Sequence, residues 1–224
     1  GLHLEAKMGE ILEKMADKRP VVAVSESIPQ DKLLDFIGYR GFYDPHIWFD
    51  VQLWILATDS VLKALSEALP EHKAYFEKNA VHYLEQLYVL DEYIKDAVAQ
   101  IPKSNRVLVT AHDAFSYFGN AYGVEVKGLQ GISTASEAGT RDVQELAEFI
   151  VRRQIPAVFI ESSVPERNIK AVQKAVASRG WQVKIGGELF SDAMGLAGTV
   201  EGTYIGMVTH NVDIIVSALK GESK

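Results

Sequence analysis

His112, Glu161 and Asp192, and more distantly His46, are the residues whose types and settings could do chemistry, and the chemistry that imidazole and carboxylate groups could do together is to hold a transition metal. Imidazole nitrogen and carboxylate oxygen suit zinc, manganese, iron or nickel. His112, followed by Asp113, comes straight after the apolar run Arg106 to Ala111. Glu161 follows Ala157 to Ile160, and Gly186-Gly187-Glu188 and then Ser191-Asp192 follow Gln182 to Ile185. Parallel α/β sheets gather their ligands at the carboxyl ends of the strands, so these ionisable groups fall on one rim of one sheet. Taken singly, each reads as a solvated or hydrogen-bonded loop residue; it is their recurrence at strand ends that counts. His46 stands apart, in Asp44-Pro45-His46-Ile47-Trp48. Proline restrains that turn and aims the imidazole, which suits ligation and packing on Trp48 equally well.

The other histidines carry less. His72 and His82 are ten residues apart on one helix and face different ways, His3 is near the start of the chain, and His210 reads as a buried, satisfied ring. Catalytic signatures are missing: there is no His-Glu-x-x-His, no phosphate loop ending in Lys-Ser/Thr and no Gly-x-Ser-x-Gly elbow. Gly128 to Glu137 is rich in glycine and serine. That stretch fits either an anion site at a helix start or, preferably, a loop whose glycines let the backbone pass close to a metal site. With no cysteine among 224 residues, disulfides and thiolate ligands are excluded. A net charge of -7 and the lack of any Lys/Arg run argue against a nucleic-acid partner. No apolar run approaches the roughly 18 residues of a membrane helix; no signal peptide is present and the chain opens at Gly1 rather than Met, so the start reads as processed, cloned or truncated.

The elements that must position these residues follow from periodicity. Residues 2–15 read as a helix end with Leu2, Leu4, Met8, Ile11, Leu12 and Met15 roughly on one face, broken by Pro20; Val21 to Val24 reads as a short strand, and 25–44 as a long loop. Asp44-Pro45 reads as a helix opening, a capping acid followed by proline in the first turn. Phe76, Ala80, Tyr83, Leu87, Leu90, Ile94, Val98 and Ile101 recur at steps of three and four, a helical stripe ended by Pro102. Beyond it, strands at 106–111, 124–126, 157–160 and 183–185 alternate with helices at 114–122, 137–154, 165–179 and 201–219. Such alternation predicts a parallel sheet covered on both faces.

The motifs at His46, His112 and Asp192 also carry a resemblance. Asp44-Pro45-His46-Ile47-Trp48-Phe49-Asp50, then Thr110-Ala111-His112-Asp113-Ala114-Phe115, then Gly186 to Gly195, in that order, resemble the zinc/manganese-binding solute-binding lipoproteins of bacterial ABC importers, of the TroA-like kind. The likeness runs through the whole chain. It implies an α/β fold of two lobes of parallel β-sheet flanked by helices and joined by one long rigid helix. Residues 1–70 would be the remainder of an incomplete N-terminal lobe, 71–101 the linking helix and 102–224 the C-terminal lobe. The metal ligands would be His46 from the first lobe and His112 and Asp192 from the second. Histidine at 112 fits the subgroup that holds zinc as well as manganese. A further family histidine would precede Gly1.

The resemblance further implies a monomer in the periplasm or on the outer face of the cytoplasmic membrane. Its cargo would be zinc or manganese, its partner a membrane permease, and it would have no catalytic residues. Asp113, Glu161 and Glu188 are the candidates for orienting the histidines. Two alternatives differ in kind. One is a metal-dependent hydrolase with an open metal position and Glu161 as base. The other is a binder of a chelated metal complex, for which clefts lined with Arg and aromatics would be expected instead.

Overall fold

The computed structural model describes residues 1–36, 41–132 and 138–221. The chain divides into two compact units, Gly1–Asp91 and Glu92–Lys224.

In the first unit, helix α1 spans Gly9–Ala16 and α2 spans Val51–Ala68. Helix α3, Lys73–Ala99, follows a 3-10 turn at Pro70–His72, and the division between the units falls inside it. At 1.5 Å per residue it is about 40 Å long. Of its apolar stripe, Leu87, Leu90, Ile94 and Val98 are buried. Two side-chain bonds tie α2 to α3: Gln52 Nε2 donates to Asp91 Oδ2 at 2.7 Å, and Trp54 Nε1 to Tyr83 Oη at 3.1 Å.

Val21 to Val24 is not a strand. A strand is defined by its ladder, and among the described residues the first unit holds only an isolated antiparallel bridge, Asp35 with Tyr43. Val24–Ser27 forms a 3-10 turn instead, tied to α2 by Ser27 Oγ donating to Leu56 O at 3.3 Å. Nor does Asp44 open the helix. Ile47–Phe49 is a 3-10 turn, and α2 is capped by Asp50, whose Oδ1 accepts from Gln52 N at 2.8 Å and Leu53 N at 3.4 Å.

The second unit has the expected alternation: β1 Val107–His112, α4 Ser116–Tyr122, β2 Glu125–Gln130, α5 Thr140–Arg153, β3 Ala157–Glu161, α6 Arg167–Ala177, β4 Lys184–Leu189 and α7 Tyr204–Leu219. The strands pair in parallel as two two-stranded sheets, β1 with β2 and β3 with β4, where a single sheet was expected; β1 also lies beside β3 without laddering to it. Parallel neighbours need crossover helices, and these cover the faces. Val107, Val109, Ala111 and Val158 bury against Leu146, Ala147 and Ile150 of α5 and Ile169, Val172 and Val176 of α6, while α7 packs on β4. Part of the Gly128–Glu137 stretch, residues 133–137, lies outside the described residues, as does Gly38 of the expected first-unit loop.

The expected strands 124–126 and 183–185 both run further, to Gln130 and Leu189. His112 and Glu161 are therefore the last residues of their strands rather than the first after them. Gly186, Gly187 and Glu188 lie inside β4.

Candidate metal centre

Alternation along β1 turns Val107, Val109 and Ala111 into the core between the sheet and α5 and α6 and leaves His112 on the other side. Its side chain is fully buried, as is that of Glu161 at the end of neighbouring β3. Glu161 holds His112 twice. Its Oε1 accepts from the His112 main-chain N–H at 2.8 Å, and its Oε2 lies 2.6 Å from Nδ1. An ionised carboxylate only accepts, so Nδ1 carries a hydrogen, and Nε2 is on the side of the ring away from Glu161. There Asp192 Oδ1 stands 3.4 Å away, with the Asp192 side chain 30% exposed. Burial disfavours the imidazolium, but the bonds from Asp192 and Glu161 outweigh it and raise the His112 pKa to about 9.

Asp192 is positioned by what precedes it. Asn211, buried on α7, brackets Phe190: its Oδ1 accepts from Phe190 N at 2.9 Å and its Nδ2 donates to Phe190 O at 2.7 Å. Ser191, 1% exposed, shares a 2.6 Å hydrogen bond with Ser163. Asn211 is not among the site residues the sequence predicts; its signal is an amide among the apolar positions Met207, Val208, Val212 and Ile215.

Gly128 of β2 lies beside the same strand end. A Cβ there would sit 2.6 Å from Asp113 N and 2.8 Å from His112 C. Gly128, expected in a loop, is thus inside β2, where its main chain passes close to the end of β1. Gly128→Ala is expected to destabilise the protein by about 1–3 kcal/mol, read from chemical unfolding, because main-chain atoms cannot rotate away as a side chain can.

Of the three carboxylates expected to orient histidines, Glu161 does so at His112. Asp113 accepts from Ser116 Oγ at 2.7 Å. Glu188 is exposed, and its main-chain oxygen lies 3.2 Å from His210 Nε2.

His46 is in the first unit and is also buried, 2% exposed. The Asp44 side chain folds over its own chain: Oδ1 accepts from His46 N at 2.9 Å and lies 2.6 Å from His46 Nδ1. The His46 ring also packs edge-on to Trp48, with centroids 5.1 Å apart. Asp44 does not cap α2 but bonds to His46, and it fixes the Nδ1–H tautomer so that Nε2 presents its lone pair. Each unit thus contains a buried histidine held at Nδ1 by a carboxylate, the usual way a metal-binding imidazole is oriented.

A parallel α/β unit that ends one strand in a carboxylate-held imidazole facing a second carboxylate is a scaffold suited to binding a divalent metal ion. The chain belongs to the ZnuA family, zinc-uptake complex component A, periplasmic, which it matches over residues 1–218. It is 55% identical over 219 residues to zinc-binding protein TroA of Treponema pallidum, covering 98% of this chain and 70% of that protein. It is 51% identical over 220 residues to manganese-binding lipoprotein MntA of Bacillus subtilis, covering 98% and 72%. The solved structure of the periplasmic zinc binding protein TroA from Treponema pallidum superposes with a TM-score of 0.95, over 98% of this chain and 78% of that one. The α/β fold class is that of these metal-binding proteins.

Proposed function

We propose that this protein captures a divalent transition metal, zinc or manganese, with His46, His112 and Asp192. It then delivers the ion to the membrane permease of an ABC importer. The observation that carries the reading is the buried His112 held by Glu161 and turned toward Asp192, in a chain related along its length to zinc- and manganese-binding proteins. In both imidazoles Nδ1 lies 2.6 Å from a carboxylate oxygen, which leaves Nε2 for the role of ligand. Capture takes place in the periplasm or at the outer face of the cytoplasmic membrane, by a monomer without a nucleic-acid partner. Among the described residues no helix is long and apolar enough to cross a membrane.

Capture without catalysis fits the site better than hydrolysis. Glu161, the base a metallohydrolase would need, has one oxygen on the His112 main chain and the other at its ring. Relatives named for metal binding and transport point the same way.

Elemental analysis of the purified protein tests the reading: about one zinc or manganese per chain is expected, and a cell lacking the protein should accumulate less of that metal. Protein that neither retains nor takes up either ion would refute it. Asp44→Asn is expected to weaken metal binding by about 10–100-fold in a competition titration, because the amide no longer pins the His46 tautomer.

A further inference from the structure

The loop after Asp192 contains the two most exposed large apolar side chains of the molecule among the described residues. Leu196 is 81% exposed and Val200 73%, with Met194 at 51%. Soluble proteins scatter single apolar residues over their surfaces, but three within seven residues form a patch.

This patch is built into the fold. The segment is closed by Gly195 N donating to Glu201 O at 2.8 Å, and Thr199 N and Oγ1 both reach Leu196 O, at 3.1 and 2.8 Å. Thr199 Oγ1 in turn accepts from Gly202 N at 3.1 Å. Thr203 Oγ1 donates to Val200 O at 2.9 Å and accepts from Gly206 N at 3.1 Å, fastening the loop to the start of α7. Gly202 makes this winding possible: a Cβ there would lie 2.3 Å from Leu196 O. A chain so closely bonded to itself, with its largest apolar side chains turned to water, is preorganised for a partner and loses little freedom on meeting one.

We infer that Leu196 and Val200, with Met194 beside them, form the contact by which this unit docks on the outward-facing surface of the membrane permease. This inference rests on the function proposed above and adds the surface to it. The choice of partner follows from position: the loop starts directly after Asp192, so a partner seated on it is brought to the proposed cargo ligand. A loop of uncharged residues from Ala193 to Val200 asks for an apolar recess in that partner rather than a charged one.

The test uses the double variant Leu196→Ser, Val200→Ser of the full chain. Both side chains are surrounded mostly by water, so folding should survive. Zinc titration of wild type and variant should agree within about twofold, because neither residue touches a proposed ligand. With the permease and its ATPase in lipid nanodiscs, the zinc-loaded variant should need at least about tenfold more protein for half-maximal ATPase stimulation. Unchanged stimulation by a variant that binds zinc normally would overturn the docking surface alone. A variant with impaired zinc binding would also overturn it, by assigning the loop to the site. Loss of sedimentation with protein-free lipid vesicles, or loss of self-association, would reassign the patch to the bilayer or to a second copy. A wild type that neither binds zinc nor stimulates the ATPase would instead sink the proposed function.

Discussion

Replacing His112 by alanine is expected to lower zinc affinity roughly 100-fold or more. Four-ligand structural zinc sites yield about 10–16 kcal/mol, so one ligand accounts for roughly 3 kcal/mol. The change does more than delete a donor. It leaves Glu161, fully buried, without the ring it holds at 2.6 Å. A buried carboxylate deprived of its partner is costly, so the metal-free variant should also be less stable. Asp192→Asn removes a charge from a side chain already 30% exposed and should weaken binding with little loss of stability. Competition titration with a chromophoric chelator, paired with thermal melts, separates the two effects. If His112→Ala together with Asp192→Ala left affinity unchanged, the ligand assignment would be wrong.

Acidification should release the metal. In the metal-free protein the His112 pKa stands at about 9, burial opposing and the bonds from Asp192 and Glu161 favouring the charged ring. At neutral pH the ring therefore holds both hydrogens, and an ion bound at Nε2 must displace one. Calorimetry in buffers of different ionisation enthalpy should detect about one proton released per metal at pH 7 from this group. Below pH 9 affinity should fall about tenfold per pH unit through His112 alone. The same group sets a trend in the metal-free fold. Its folded pKa is raised above the ordinary 6.5, so the stabilisation is fully present below pH 6.5 and is lost as pH rises through about 9. At 1.36 kcal/mol per pH unit the whole effect is about 3 kcal/mol. Urea unfolding of metal-free protein at pH 6.5 and 9.5 measures it. A flat profile with no proton release would mean that the ring is neutral.

The second unit was legible because its evidence is local. Apolar runs of four to six residues, punctuated by amphipathic helices, announce buried parallel strands, and the rule that ligands gather at strand ends pointed to His112, Glu161 and Asp192. What failed depended on distant partners. Val21 to Val24 has strand propensity, but propensity supplies no ladder. Asp44 before Pro45 satisfies the local pattern of a helix cap, since a side chain accepting from the main chain two residues on serves a cap and a turn alike. Only the path of the chain afterwards distinguishes them, and here the helix waits for Asp50. Glu188 was indistinguishable from Glu161 along the sequence, yet alternation in β4 leaves it exposed.

The two-handed hold of Glu161 on His112 has a consequence for unloading. Anchored through both main chain and ring to the adjacent strand, that imidazole has no slack with which to follow a departing ion. Asp192 is on a loop and already meets water. Under the proposed function, Asp192 would be better placed than His112 to exchange with water first, and His112 would be the firmer hold on the ion.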